Sequence, residues 1–199
     1  MIRRIVAILV VAAATSGCGY NTIQTLDEQA NSAQGNIESQ LQRRADLIPN
    51  LVNTVKGYAQ HEEQVFADIA NARSRLLGAK NSGDPEQMAN ADAQFSGSLG
   101  RLLALSESYP LLKADASFRQ LSDELTGTEN RIAVARTDYN EAVRQYNTTI
   151  RTFPTALTAK VTGAKERKYF QVTDPAIKNG PPPTVDFSKP ATPAPAPAH

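Results

Sequence analysis

From Phe118 onward, one side of the chain repeats an apolar residue at alternating intervals of three and four. Phe118, Leu121, Leu125, Thr128, Ile132, Ala135, Tyr139, Ala142 and Tyr146 follow one another without a miss, and Ile150 and Phe153 extend the series. An α-helix returns to the same face every 3.6 residues, so this spacing writes a continuous seam along one long helix. Such a helix cannot be stable alone and needs partners to cover the seam. No stretch alternates apolar and polar residues in the manner of a strand.

The rest of the chain repeats the pattern. Ile23, Leu26, Ala30, Ala33, Ile37 and Leu41 form one stripe, followed by Val52, Val55, Ala59, Phe66, Ile69 and Leu76. Gly78 and the "NSGD" at 81–84 mark an end. Asp84 is placed to cap a new helix with Pro85 at its first position, and Met88, Phe95, Leu99, Leu102 and Leu105 give that helix its face, up to Tyr109-Pro110. The sequence predicts an all-α fold: an elongated antiparallel bundle of four helical segments over residues 18–172.

Pro49 divides the readings. It lacks an N–H and crowds the carbonyl of Ala45, yet Leu41, Ala45, Ile48 and Val52 stay in phase across it. A single helix kinked at Pro49 and running from about 22 to 78 satisfies this phase, and so does a tight turn between two antiparallel helices.

The ends differ from the middle. Arg3 and Arg4 precede an unbroken apolar run from Ile5 to Ala14, and Thr15-Ser16-Gly17 leads to Cys18, the chain's one cysteine. Ten residues in a helix span about 15 Å, half a bilayer's hydrocarbon core, so residues 1–17 read as a signal peptide. Small residues before the cysteine resemble the lipobox of bacterial lipoproteins, which implies a lipidated Cys18 as the mature N-terminus. Gly19 after it resembles the outer-membrane sorting pattern of Gram-negative lipoproteins. An ordinary signal cleaved after Ala14, or an uncleaved anchor from Ile5 to about Ile23, also fits the residues. At the other end, eight of the twelve prolines lie in 173–199, a composition expected to be disordered or extended.

Charge and motifs narrow the function. The net charge of +1 falls to −1 when Arg3 and Arg4 leave with the signal, so no basic field points to nucleic acid. His61 in "QHEEQ" lacks the H-E-x-x-H spacing, and neighbouring helix positions diverge by about 100°. No nucleophile motif, phosphate loop or cysteine pair is present. No catalytic residue, metal ligand or cofactor is assigned.

Two polar sets remain as candidates for interaction or structure. Arg43, Arg44, Asp46, Pro49 and Asn50 surround the proline, with Asp46 suited to cap a helix restarting there and the arginines suited to pair with acids of a neighbouring helix. Glu129, Asn130, Arg131, Arg136, Asp138, Tyr139 and Asn140 flank the long seam, as an inter-helix network or a docking groove would require. Lys160, Lys165, Arg167 and Lys168, with Tyr169 and Phe170, form a small basic-aromatic cluster suited to headgroups or an anionic wall polymer.

"QLQRRADLIPNLVNTVKGYAQHE" at 40–62 and "GTENRIAVARTDYNEAVRQYNTTIRTFP" at 127–154 closely resemble the two signature stretches of the LemA family. Tyr20-Asn21 resembles the start of the LemA domain, and the "KYF" at 168–170 its end. The resemblance implies a four-helix bundle outside the cytoplasmic membrane, held by an N-terminal hydrophobic segment, with Pro49 at a helix junction. It implies no reaction. The expected protein is a membrane-anchored, extracytoplasmic lipoprotein that acts by contact with an envelope protein, self-association included. A wall-binding module using the basic cluster and tail is the alternative.

Overall fold

The computed structural model describes the backbone of residues 2–178 and the side chains of 19–178. The chain is all-α over these residues. Helix α1 (Ile2–Lys56) and helix α5 (Ala116–Arg151) lie antiparallel along most of their described length. Between them in sequence come α2 (Glu63–Ser82), α3 (Pro85–Ser108) and the single turn α4 (Pro110–Ala114), and after them α6 (Thr155–Thr162) and the short α7 (Pro175–Lys178). The α2–α3 hairpin packs on the half of α1 that contains Pro49. Around Ile23 at the other end, Tyr146, Ile150 and Ala159 close a smaller core.

The long seam is legible in the burial of α5. Phe118, Leu125, Thr128, Ile132, Ala135, Tyr139 and Tyr146 are buried, but toward the C-terminus Val143, Asn147 and Ile150 turn inward and Ala142 is only half-buried. A straight helix drifts by about 20° per heptad against a strict seven-residue repeat, and the inward face follows that drift.

Pro49 neither breaks α1 nor opens a new helix: α1 runs through it to Lys56. The helix also does not continue to 78. The junction lies at 57–62, where the N–H groups of Gly57 and Tyr58 fold back three residues to the carbonyls of Thr54 and Val55. Ala59 remains fully buried inside this turn, so the apolar stripe passes through a chain reversal without losing phase. Tyr58 donates its hydroxyl to Asp115 (2.9 Å), and Tyr109 donates to Glu62 (3.1 Å), which ties the turn to the ends of α3 and α5. Gly78 lies within α2. The helix stops at Gly83, whose φ of 68° provides the left-handed cap. Asp84 then accepts from the N–H groups of Glu86 and Gln87 and opens α3, as expected.

What Pro49 does instead is specific. The residue four positions earlier, Ala45, is fully buried, and its carbonyl receives no N–H from a proline. Arg73 on α2 supplies the donor, its Nε standing 2.8 Å from the Ala45 oxygen. An absent intrahelical bond thereby becomes an interhelical one that registers α2 on α1. Arg73→Ala is expected to cost about 1–2 kcal/mol in the native background. In a Pro49→Ala background, where residue 49 regains its own donor, the cost should shrink markedly. Urea unfolding of the four proteins measures the coupling, and an equal Arg73→Ala penalty in both backgrounds would refute this account.

Candidate functional site

Arg44 is the most deeply placed charge in the bundle, only 3% exposed on the inner face of α1. Its guanidinium forks between helices. Nη1 donates to Asp92 on α3 at 2.7 Å, and Nη2 meets Glu129 on α5 at 2.5 Å. The Phe95 ring lies 5.0 Å from its central carbon, an orientation in which the aromatic face attracts the cation. One guanidinium thus joins α1, α3 and α5. It faces two carboxylates, and the buried one yields: desolvation pushes Asp92 up to about 6, and Glu129 adds to this, against the opposing pull of Arg44 and Arg136.

The second construction is an extended strap. After α6 the chain turns at Gly163 (φ 72°) and runs back along α5 without regular structure as far as residue 174. Asn147 accepts the N–H of Arg167 (2.9 Å) and donates to the same residue's carbonyl (2.9 Å). Asn140 repeats the arrangement on Phe170, at 2.8 and 3.2 Å. A side-chain amide carries the same donor and acceptor as a peptide, so each asparagine pairs with the strap as a strand neighbour would. The register follows from geometry: seven helical residues rise about 10.5 Å, and three extended residues cover about 10 Å. A helix that presents asparagines seven apart therefore meets every third residue of an extended chain.

Further contacts fix the strap. Tyr139 donates its hydroxyl to the Lys168 carbonyl at 2.8 Å, and burial pushes that phenol up to about 12. Arg167 reaches α1 at Asp27 (2.8 Å) and Asn31 (2.7 Å) and covers the Tyr146 ring. Lys168 pairs with Asp84 and Glu86 at the start of α3, and together with the Gln87 and Glu86 N–H groups it holds the Asp84 carboxyl below its ordinary range. Asn90 then takes the N–H groups of Thr173 and Asp174. The chain stays docked past 172, and only 179–199 of the Pro/Ala-rich tail lie outside the described residues.

The expected site residues divide accordingly. Arg44, Glu129, Tyr139 and Asn140 are joined to internal partners. Arg43 pairs with Glu124 of α5 at 2.7 Å. Asp46 does not cap a helix at Pro49, because it sits in mid-helix, where it accepts from Gln42 (2.8 Å) and stands 3.8 Å from Arg73. Asn50 is exposed, and its carbonyl accepts from Thr54. Arg136 is exposed but close enough to Asp92 to act on its charge. Asn130, Arg131 and Asp138 come together with the exposed Val134 along a shallow groove of about 330 Å³ between α5 and α1, whose opposite wall is Asn36 and Gln40. The side chain of Cys18 lies outside the described residues. The basic cluster is dispersed: Arg167 and Lys168 are committed to acids of α1 and α3, and Phe170 is buried.

Asn147 and Asn90 are not among the sequence candidates. The signal for the first is present as a repeated Tyr-Asn pair, Tyr139-Asn140 and Tyr146-Asn147, seven residues apart. Nothing in the sequence near Asn90 gives a comparable mark. Among the described residues, no group of three or more His, Cys, Asp or Glu side chains converges on a point, and no helix is long and apolar enough to cross a membrane.

Known proteins share this chain's pattern over most of its length. Magnetosome protein MamQ 2 of Paramagnetospirillum magneticum is 30% identical across 84% of this chain and 71% of its own. Magnetosome protein MamQ of Magnetospirillum gryphiswaldense is 28% identical across 76% and 64%, respectively. Protein LemA of Metamycoplasma hominis is 24% identical across 77% and 69%. The model of the LemA family matches residues 33–187, a span that takes in the Arg44 cluster, the α2–α3 hairpin and the whole asparagine-pinned strap. The chain belongs to the LemA family.

Proposed function

We propose that this protein is a membrane-tethered, extracytoplasmic interaction module: a rigid bundle attached by lipid at Cys18, which docks an envelope protein along the groove between α1 and α5. The observation that carries this reading is the division of polar groups along α5. Glu129, Tyr139 and Asn140 are tied to partners within the bundle. Asn130, Arg131 and Asp138, interleaved with them, line an open groove with exposed Val134 and make no side-chain hydrogen bond or ion pair among the described residues. Side chains of this kind provide hydrogen bonds and a charge pattern for a partner while the bundle behind them holds their spacing. Confinement to one membrane raises the effective concentration of both partners, so a shallow groove with a weak intrinsic affinity suffices.

The test is Cys18→Ser in the full chain. The variant is expected to leave the membrane fraction while its far-ultraviolet circular dichroism stays unchanged. Membrane retention equal to that of the native chain would refute lipid tethering. A photocrosslinker at Val134 in the native chain then tests the groove, and it should give an adduct that Arg131→Glu abolishes.

A further inference from the structure

At the end of the bundle where α1 runs back into residues 2–18, three large apolar side chains face outward. Leu157 and Val161, one turn apart on α6, are 62% and 88% exposed, and Phe153 in the preceding turn is 82% exposed. The helix itself is firmly seated. Ala159, on its opposite side, is buried against Ile23, Tyr146 and Ile150, and a Cβ added to Gly19 of α1 would stand 3.1 Å from the Thr158 hydroxyl. The outward residues are therefore a fixed surface. Other exposed large apolar side chains, such as Leu111 and Val134, occur singly, as they do on any soluble surface.

We propose that α6 is a foot that rests in the headgroup layer of a bilayer, with Phe153, Leu157 and Val161 among the acyl chains. The inference rests on the membrane-tethered reading and adds to it a second contact that fixes the orientation of the bundle. Three features point to lipid as the occupant. The stripe stands where α1 leads back through Gly19, which α6 packs against, to Cys18, the residue proposed to carry the lipid anchor. Lys160 and Lys165, exposed beside the stripe and without an ion-pair partner among the described residues, match anionic headgroups. Tyr20, half exposed on α1 at this same end, is of the residue type that settles at the membrane–water interface.

A single lipid anchor leaves a bundle free to tilt. A second contact on α6 would hold the α1–α5 pair at a set angle and carry the Val134 groove away from the surface at a fixed height. The apolar face buried by α6 is small, so it adds to an anchor and does not replace one.

The chain contains no tryptophan, so Leu157→Trp places a single reporter on the stripe, at a site open enough to accept it without repacking. The variant, purified from cell envelopes with its mature N-terminus, is reconstituted with phosphatidylcholine–phosphatidylglycerol vesicles whose acyl chains are brominated. Leu111→Trp, on α4 about 55 Å away along α1, is the comparison. The expected result is blue-shifted, strongly quenched emission from the Leu157→Trp protein and unquenched emission from the Leu111→Trp protein. If both proteins bind vesicles and neither is quenched, the foot is refuted and the tether stands. If neither binds vesicles, the tether and the foot fall together. Blue-shifted but unquenched emission from Leu157→Trp, with a dimeric mass, would mean that a second copy covers the stripe, and this too overturns the proposal.

Discussion

Arg44→Ala is expected to destabilise the bundle by about 3–5 kcal/mol, the cost of removing one partner from a buried ion pair. In a domain of this length that lowers the melting temperature by about 10 °C or more. The loss has three parts: the Asp92 carboxylate is left buried without a cation, Glu129 loses its contact with α1, and the Phe95 face loses the guanidinium it stacks against. Arg44→Lys should recover little, because a compact ammonium does not reproduce the planar fork that reaches carboxylates on two helices. The pH dependence identifies the responsible group. Asp92 is raised to about 6 in the fold by burial and by Glu129 and lies near 4 when unfolded. Its contribution is thus fully present below about pH 4 and is lost as pH rises through 6. Removing Arg44 raises Asp92 further, so the penalty of Arg44→Ala should be smaller at pH 5 than at pH 8, where the orphaned carboxylate must be charged. Chemical denaturation at the two pH values measures this. A penalty that does not change with pH would show that Asp92 is not the group left stranded.

The helices are legible because their signals are local. The three-and-four seam from Phe118 reports directly on which residues of α5 face inward, and Asp84-Pro85 announces its helix by cap chemistry alone. Pro49 misleads for an instructive reason. Its effect on the backbone is local, but the remedy, Arg73 donating to the Ala45 carbonyl, comes from a helix 28 residues on, and no window of sequence contains both. The true reversal at 57–62 is hidden by Ala59, which keeps the stripe in phase although the chain changes direction. Asp46 suits a cap only if a helix starts beside it, and none does. In the site, Arg44 and Glu129 can be singled out as charges beside apolar seams. That both reach one point, with Asp92 as the third member, is a property of the packing of α1, α3 and α5. The strap is least visible, since residues 164–174 have no periodicity of their own. Their conformation is imposed by asparagines on other elements.

That dependence makes the strap the place for the second large effect. In the Asn140→Ala, Asn147→Ala double variant, the N–H and C=O groups of Arg167 and Phe170 lose their partners. At about 1 kcal/mol for each hydrogen bond, the loss is about 4 kcal/mol. Its effect should be local. The helices do not need the strap to form, whereas the strap is held by side chains: these amides, Asn90, the Tyr139 hydroxyl, the contacts of Arg167 and Lys168 with α1 and α3, and the buried Phe170 ring. Residues 164–174 are therefore expected to open as a unit below the energy of global unfolding. Amide exchange across them should speed up by about a thousandfold, and trypsin should cut after Arg167 or Lys168 in a protein whose circular dichroism is unchanged. Asn140→Asp and Asn147→Asp should behave much like the alanine variants, because a carboxylate still accepts the strap N–H but repels the carbonyl that the amide had served. If exchange accelerates equally in α5 and in the strap, the asparagines stabilise the bundle as a whole. If it accelerates only in the strap, the amides hold a separable element whose release uncovers Tyr139 and Phe170 and opens the side of the α1–α5 pair.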